Sequence, residues 1–291
     1  MHKFGERVYK APINAGFTCP NIDGKKGIGG CVYCDGGSGY FTDSKLIPVR
    51  EQLRHQIDLI YSKYANAKIN AYFQAYSNTY AEVDLLKERF EPVFDFPEVV
   101  AVSIATRADC LNDDVLYYLS ELSSRTSLTV ELGLQTVHDI TAVKINRGHT
   151  FSEFCEGYNS LKTYGIRTVV HIIDGLPGEG SDMMLKTAEV LGKMQPDGIK
   201  IHLLHVIRGT ALEHIYDMGG YIPLEKEEYV DIVVGQLELL PQETVIERIT
   251  GDGDKRKLIA PLWSTDKISV LGAIDKLQAQ RESYQGKRFI L

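Results

Sequence analysis

No apolar run in this 291-residue chain approaches membrane-spanning length. The longest, residues 99–105 and 168–173, are strand-sized, whereas a transmembrane helix needs about 20 apolar residues. The opening Met-His-Lys-Phe-Gly-Glu-Arg has no apolar stretch behind it to act as a signal peptide, so a cytoplasmic location is expected. Basic residues are outnumbered: 32 Lys and Arg face 39 Asp and Glu, for a formal net charge of -7. That balance excludes holding nucleic acid by bulk charge alone and leaves only local basic patches. There is one Trp, and no internal repeat, low-complexity segment or long linker. Cysteine is scarce and odd in number, five residues, which is not a disulfide framework. Against these absences stands a content of 44% hydrophobic residues with 9% aromatics, enough to build one large barrel or two modest domains.

From about residue 69 the chain alternates short β-rich runs with stretches of helical period, the pattern of parallel strands joined by crossover helices. Strands are expected at 7–13, 68–75, 99–105, 127–134, 167–173 and 198–204, and helices at 49–64, 83–90, 113–123, 151–164, 182–194 and 226–240. Asn112, Thr150 and Ser181 stand where helix caps belong. This predicts an α/β chain with a partial (β/α)6 TIM-like barrel over residues 1–240, followed by a strand at 244–249 and a helix at 267–284 in a C-terminal extension, 241–291. Working residues of such barrels project beyond the C-terminal strand ends. Polar residues recur there: Gln74 and Asn78, then Thr106, Arg107 and Asp109, then Gln135, then Asp174 and Glu179, then His205 and Arg208.

Three of the cysteines crowd into a loop expected at 16–40, where Cys19, Cys31 and Cys34 form a Cys-x11-Cys-x2-Cys pattern. A structural zinc ion wants four ligands, and no second Cys-x-x-Cys pair completes a set. Three thiolates on a cubane cluster instead leave one iron open to a substrate or cofactor. Gly24, Gly27, Gly29, Gly30, Gly36 and Gly37 would let backbone amides wrap the sulfurs, and Tyr33 would shield the site from water. Cys155 falls within a helical run as a small core residue, and Cys110 has no thiol neighbour.

The chain resembles the radical S-adenosylmethionine superfamily, and within it the YhcC/YtqA-like family with this widened cysteine spacing. The resemblance is carried by the cysteine loop and by the runs at 71–80, 106–109 (Thr-Arg-Ala-Asp), 131–136 (Glu-Leu-Gly-Leu-Gln-Thr), 146–149 (Asn-Arg-Gly-His) and 171–179 (His-Ile-Ile-Asp-Gly-Leu-Pro-Gly-Glu). The same family looks like a shortened relative of the catalytic subunit of Elongator, which modifies wobble uridine in transfer RNA. It departs from the superfamily pattern in the long first gap and in having Gln74 to Tyr80 where Gly-Gly-Glu is usual; Ala108 stands where relatives often hold proline. Too few residues follow the expected barrel to build an Elongator-like acetyltransferase domain.

The resemblance implies a 4Fe-4S cluster on Cys19, Cys31 and Cys34, chelation of S-adenosylmethionine by the open iron, and one-electron cleavage to a 5′-deoxyadenosyl radical. An external one-electron donor of flavodoxin or ferredoxin type would supply the electron. Residues expected around the cofactor are Tyr33, Gln74, Asn78, Thr106, Arg107, Glu131, Gln135, Arg147, His171, Asp174, Leu176, His202 and Leu204. Among them Glu131 and Gln135 would bond the ribose or methionine moiety, while Leu176 and His202 to Leu204 would flank adenine. Arg107 and Arg147 are candidate carboxylate or phosphate clamps, or else rim salt bridges; His171 is a candidate proton donor or a core histidine. Lys200, in an apolar strand, should meet a carboxylate such as Glu131 or Asp174. Transfer RNA is the expected substrate, with Lys255-Arg256-Lys257, Arg281, Lys287 and Arg288 as a phosphate edge and Trp263 as a base platform, against ordinary surface and packing roles for the same residues. Two other classes fit the residues. A radical enzyme on a small metabolite would form deoxyadenosine in response to metabolites, and a zinc or nucleic-acid-binding module would hold no iron or sulfide.

Overall fold

The computed structural model describes residues 4–35, 47–251 and 253–291. Gly36, Gly37, the end of the 16–40 loop and Asp252 lie outside the described residues. The expected alternation is present. Strands β1 (Val8–Ile13), β2 (Lys68–Phe73), β3 (Val99–Thr106), β4 (Ser127–Gln135), β5 (Arg167–Asp174) and β6 (Gly198–Leu203) follow one another in one sheet. A two-residue strand, β7 (Val206–Ile207), intervenes before β8 (Val245–Arg248), which pairs in parallel with β6 and makes the sheet seven-stranded. The strand expected at 244–249 is therefore the seventh strand of the sheet. The fold class is α/β with parallel strands in sequential order.

Strands covered on both faces read as continuous apolar runs. Ile69, Ala71, Phe73, Ile104, Val130, Leu132, Val169, Val170, Ile199 and Ile201 are all fully buried. The covering helices are α1 (Val49–Tyr61), α2 (Val83–Phe90), α3 (Asp113–Arg125), a short α4 (Asp139–Lys144), α5 (Phe151–Thr163), α6 (Ser181–Met194), α7 (Ala211–Asp217), α8 (Lys226–Leu239) and α9 (Lys267–Gln280). Asn112 caps α3 as expected, its side chain accepting from Val115 N at 2.9 Å. At α6 the cap position is Gly180, with Ser181 already the first helical residue. The periodicity gave no sign of α4, of α7, or of a small antiparallel pair between β7 and β9 (Leu258–Ala260).

The chain divides into two compact units. The first comprises Met1–Asp23, Gly37–Leu132 and Ser152–Thr168; the second comprises Gly24–Gly36, Gly133–Phe151 and Val169–Leu291. Within the first, Gly157 brings α5 against the turn after β3: a Cβ there would collide with the Ala108 carbonyl oxygen and lie 2.9 Å from its carbonyl carbon and Cβ. Overpacking costs about 1–3 kcal/mol, and alanine's helix preference returns about 1 kcal/mol. Gly157→Ala should therefore lower stability by up to about 2 kcal/mol, read as a drop in melting temperature; a raised melting temperature would show that α5 does not set the Ala108 turn.

Candidate functional site

In the first unit, the segment after β1 is pinned by Gln52 of α1. Asn14 N donates to Gln52 Oε1 at 2.9 Å, and Gln52 Nε2 returns a bond to Asn14 O at 2.7 Å. Gln52 is buried, so these reciprocal bonds also satisfy its amide. Farther on, Ser77 N donates to Thr18 O at 3.2 Å, and the carbonyl of Cys19 closes a turn by accepting from Ile22 N and Asp23 N at 2.8 and 3.2 Å. Cys19 is thus fixed by its backbone while its residue surface stays half-buried.

The C-terminal ends of β2 and β3 are tied by Asn78, which is fully buried. Its Nδ2 donates to Phe73 O at 3.2 Å and Ala105 O at 2.8 Å. Among the described residues its Oδ1 is buried without a hydrogen-bond partner. Thr106 shares a 2.6 Å hydrogen bond with Thr79, whose hydroxyl also lies 2.8 Å from Cys110 O. Arg107 grips Asp109 with two bonds, Nε to Oδ1 at 2.9 Å and Nη2 to Oδ2 at 2.8 Å. Burial works against its charge, but Asp109 outweighs burial and holds the guanidinium more firmly protonated than usual. Arg107 thus forms a bidentate salt bridge with Asp109 in this structure. Burial pushes the neighbouring Cys110 thiol up to about 12, so it stays protonated and inert.

Glu131 of β4 is buried, with its carboxylate accepting from Tyr72 OH at 2.7 Å and Lys10 Nζ at 3.1 Å. The ammonium of Lys10 also stands over the Tyr72 ring, 4.8 Å from its centroid. Gln74 follows β2 directly, its N–H donating to Ile13 O at 3.2 Å.

In the second unit, a turn holds Cys31 and Cys34, with Cys34 N donating to Cys31 O at 2.9 Å. Val32 between them is clamped on both sides of its peptide: its N donates to Ile145 O at 3.0 Å, and its O accepts from Leu212 N at 2.8 Å. Asn146, itself left-handed at φ 54°, donates through Nδ2 to Gly30 O at 2.8 Å and Ile28 O at 3.3 Å. Gly29 and Gly30 run at φ 81° and 77°, a conformation that glycine adopts without steric cost. Lys257 pairs with Asp35 at 3.7 Å. Burial, and then the neighbouring Cys31, raise the Tyr33 phenol well above the usual tyrosine range, so it stays protonated.

Val32 and Tyr33 pack on a cluster that includes Ile145, Leu176, Leu204, Leu212 and Tyr221. Leu176 and Leu204 therefore form the floor under the cysteine turn. Arg147, 1% exposed, donates to three backbone carbonyls, Leu134 at 2.5 Å, Thr136 at 2.6 Å and His149 at 3.0 Å. Its fork braces the end of β4 against the α4 turn, where Gln135 is held left-handed at φ 69° with its amide folded over Gly133. On β5 and β6 the register sets His171 opposite Lys200 and Ile173 opposite His202, and the His171 and His202 rings lie 5.2 Å apart.

Asp174 lies against the helices of this unit: its Oδ1 accepts from Gln236 Nε2 of α8 at 2.7 Å. The Trp263 indole donates to Leu224 O at 3.0 Å and packs 5.5 Å from the Tyr229 ring, a structural role. The expected phosphate edge is largely engaged with acids: Arg256 with Asp254, Lys257 with Asp35, Arg281 with Asp231 and Arg288 with Glu238. Lys10, Leu212 and Gln236 had no place in the sequence-based set, and Tyr72 and Asn146 figured there only within the runs at 71–80 and 146–149. A lysine inside the apolar first strand and an asparagine two residues before Gly148 were the available signals.

Burial pushes the Asp174 carboxyl from 3.8 up to about 7. Among the described residues, Asp174 Oδ2 and Gln236 Oε1 are both buried acceptors without a donor, and a proton on Asp174 supplies one. Because the folded-state value is raised, the folded protein holds a proton that the unfolded chain releases, and stability falls as pH rises from about 4 to about 7. Asp174→Asn carries a permanent donor. Its stability advantage over the unsubstituted protein should grow across that window and then level, reaching roughly 1–3 kcal/mol in denaturant titrations; parallel pH profiles for the two proteins would refute the buried-acid reading.

A model described as the Radical SAM superfamily matches residues 26–191, and a Radical_SAM C-terminal domain model matches residues 196–279. The uncharacterized protein YtqA of Bacillus subtilis is 47% identical over 287 residues, covering 98% of this chain and 89% of its own. Elongator complex protein 3 of Mus musculus is 29% identical over 161 residues, covering 54% of this chain and 29% of its own. Among solved structures, Elp3 of the archaeon Methanocaldococcus infernus superposes with a TM-score of 0.72 at 18% identity, over 96% of this chain and 64% of that one, a likeness of fold.

Proposed function

Because the chain belongs to the radical SAM superfamily, and within it to the YhcC/YtqA-like family related to Elongator complex protein 3, we propose that it is a transferase-type radical enzyme acting in the cytoplasm on transfer RNA, with C5 of wobble uridine as the position modified. The superfamily's cofactors, a 4Fe-4S cluster and S-adenosylmethionine, are those of this chain. The donor set suits the cluster: none of the five cysteines is in a disulfide, and Cys19, Cys31 and Cys34 are each partly exposed. The observation that carries the reading is the Cys31-Cys34 turn, whose backbone is clamped at Val32 from both sides.

When bound, the cluster and S-adenosylmethionine supply a 5′-deoxyadenosyl radical for hydrogen abstraction. The residues of this chain hold and orient. Cys19, Cys31 and Cys34 would ligate iron, and Tyr33 would donate to a ligand sulfur and keep water from it. Asn78 Oδ1 and the left-handed Gln135 offer polar atoms to S-adenosylmethionine, with Gln74, His171 and His202 as further candidate contacts. Glu131, already bound to Lys10 and Tyr72, would act as a fixed acceptor, and Thr106, Arg107, Arg147, Asp174, Leu176 and Leu204 would set the scaffold on which these contacts depend. The transfer RNA substrate is supported by the likeness to Elongator complex protein 3 over half the chain.

The test is anaerobic reconstitution with iron and sulfide, then dithionite and S-adenosylmethionine, with 5′-deoxyadenosine measured with and without transfer RNA lacking wobble modifications. Deoxyadenosine should form, rise with the RNA, and vanish in Cys19→Ala, Cys31→Ala and Cys34→Ala proteins together with the brown colour. Formation stimulated by metabolite extract and not by RNA would replace the substrate, and full iron loading in Cys19→Ala would sink the ligand assignment.

A further inference from the structure

The loop that carries Cys31 and Cys34 is bordered, within the second unit, by large apolar side chains that face solvent. Ile28 on the loop is 82% exposed, and Ile140 and Val143 on α4 are 66% and 80% exposed. Ile140 and Val143 stand three residues apart and so share a helix face. Asn146 joins that face to the loop: its N–H donates to Val143 O at 3.0 Å, and its side chain donates to Ile28 O at 3.3 Å and Gly30 O at 2.8 Å. One residue earlier, Ile145 O receives the Val32 N–H between the two cysteines. The apolar face and the cysteine turn are therefore parts of one hydrogen-bonded piece.

Exposed Lys25, Lys26 and Lys144 flank these residues; the acids beside them are exposed Asp23, two residues before Lys25, and Asp139 of α4, which is bonded to Phe151 N at 2.7 Å and Arg147 at 3.4 Å. On a chain of net charge -7, this face gathers three exposed aliphatic side chains with three lysines at its edge.

We propose that this face, Ile28, Ile140 and Val143 with Lys25, Lys26 and Lys144, is the docking surface for the one-electron donor, a small carrier protein with an acidic surface. The inference rests on the cluster named under the proposed function, which must receive an electron from outside the chain. One electron leaves the reduced carrier and enters the oxidised cluster; no bond forms or breaks, and the carrier departs one electron more oxidised. A carrier must visit and leave, which suits a small apolar centre with a charged rim better than a large dry interface. Lysines facing an acidic partner raise the encounter rate and make it fall with salt. The aliphatic centre favours a protein over RNA, because RNA phosphates gain nothing from Ile and Val and single-stranded bases stack on aromatic side chains, which this face does not offer.

The test uses the cluster-loaded full chain under anaerobic stopped flow, following the cluster's visible absorbance as it is reduced by reduced flavodoxin or, separately, by dithionite. Ile28→Glu/Val143→Glu should slow reduction by flavodoxin at least tenfold at low salt and leave reduction by dithionite unchanged. Lys25→Glu/Lys26→Glu should slow it and flatten its salt dependence. Flavodoxin rates equal to the unsubstituted protein's would overturn the proposal, as would equal slowing by dithionite, which would mean that the face supports the cluster and docks nothing. Unchanged flavodoxin rates with weakened transfer RNA binding would assign the face to RNA and likewise overturn it. If the unsubstituted protein loads no iron and sulfide, the proposed function itself fails and this inference with it.

Discussion

The peptide of Val32 governs where Cys31 and Cys34 can stand. Its N–H and C=O are both taken by neighbours far away in sequence, Ile145 and Leu212, so a Cys-x-x-Cys turn that would otherwise be a flexible loop is held like an edge of sheet. Buried backbone groups that are paired on both sides resist displacement, because breaking them leaves donors and acceptors without partners. Everything else in that half of the site supports this clamp. Leu176, Leu204 and Tyr221 pack beneath Val32 and Tyr33, Arg147 fixes the end of β4 beside the α4 turn that presents Ile145, and Asn146 adjusts to a left-handed conformation to hold the glycines before Cys31.

For several buried ionisable groups the partner decides the state. Arg107 remains charged because Asp109 meets it bidentately, and Glu131 is held by Lys10 and Tyr72. Arg147 instead spreads its charge over three carbonyl oxygens and one carboxylate, Asp139 at 3.4 Å, and so orients the backbone at the end of β4. Asp174 is the exception that proves costly as an anion, since an amide is its partner and burial drives it towards the protonated form.

The sheet and its covering helices were legible because strands buried on both faces and amphipathic helices have different periods, and the seven longer strands fall close to their expected positions. The two-residue β7, the three-residue β9 and the six-residue α4 are too short to show any period, yet Ile145 and Asn146, just past the end of α4, help clamp the cysteine turn. Side-chain roles were harder. The guanidinium fork of Arg147 fits a carboxylate, a phosphate or carbonyls equally well, and only the fold brings Leu134 and Thr136 to it. Leu176 and Leu204, expected beside adenine, are apolar residues whose neighbours, Val32 and Tyr33, lie more than a hundred residues earlier. Asp174 likewise finds Gln236 across 62 residues, a separation that no local pattern records.

The central claim is that three cysteines hold a 4Fe-4S cluster with one iron left open. Its most direct test is the Mössbauer spectrum of protein reconstituted anaerobically with enriched iron, taken before and after S-adenosylmethionine is added. The account predicts a cubane spectrum in which one iron in four changes its isomer shift and quadrupole splitting when S-adenosylmethionine binds. Four irons unaffected by S-adenosylmethionine, or a protein that takes up zinc and excludes iron and sulfide, would contradict it.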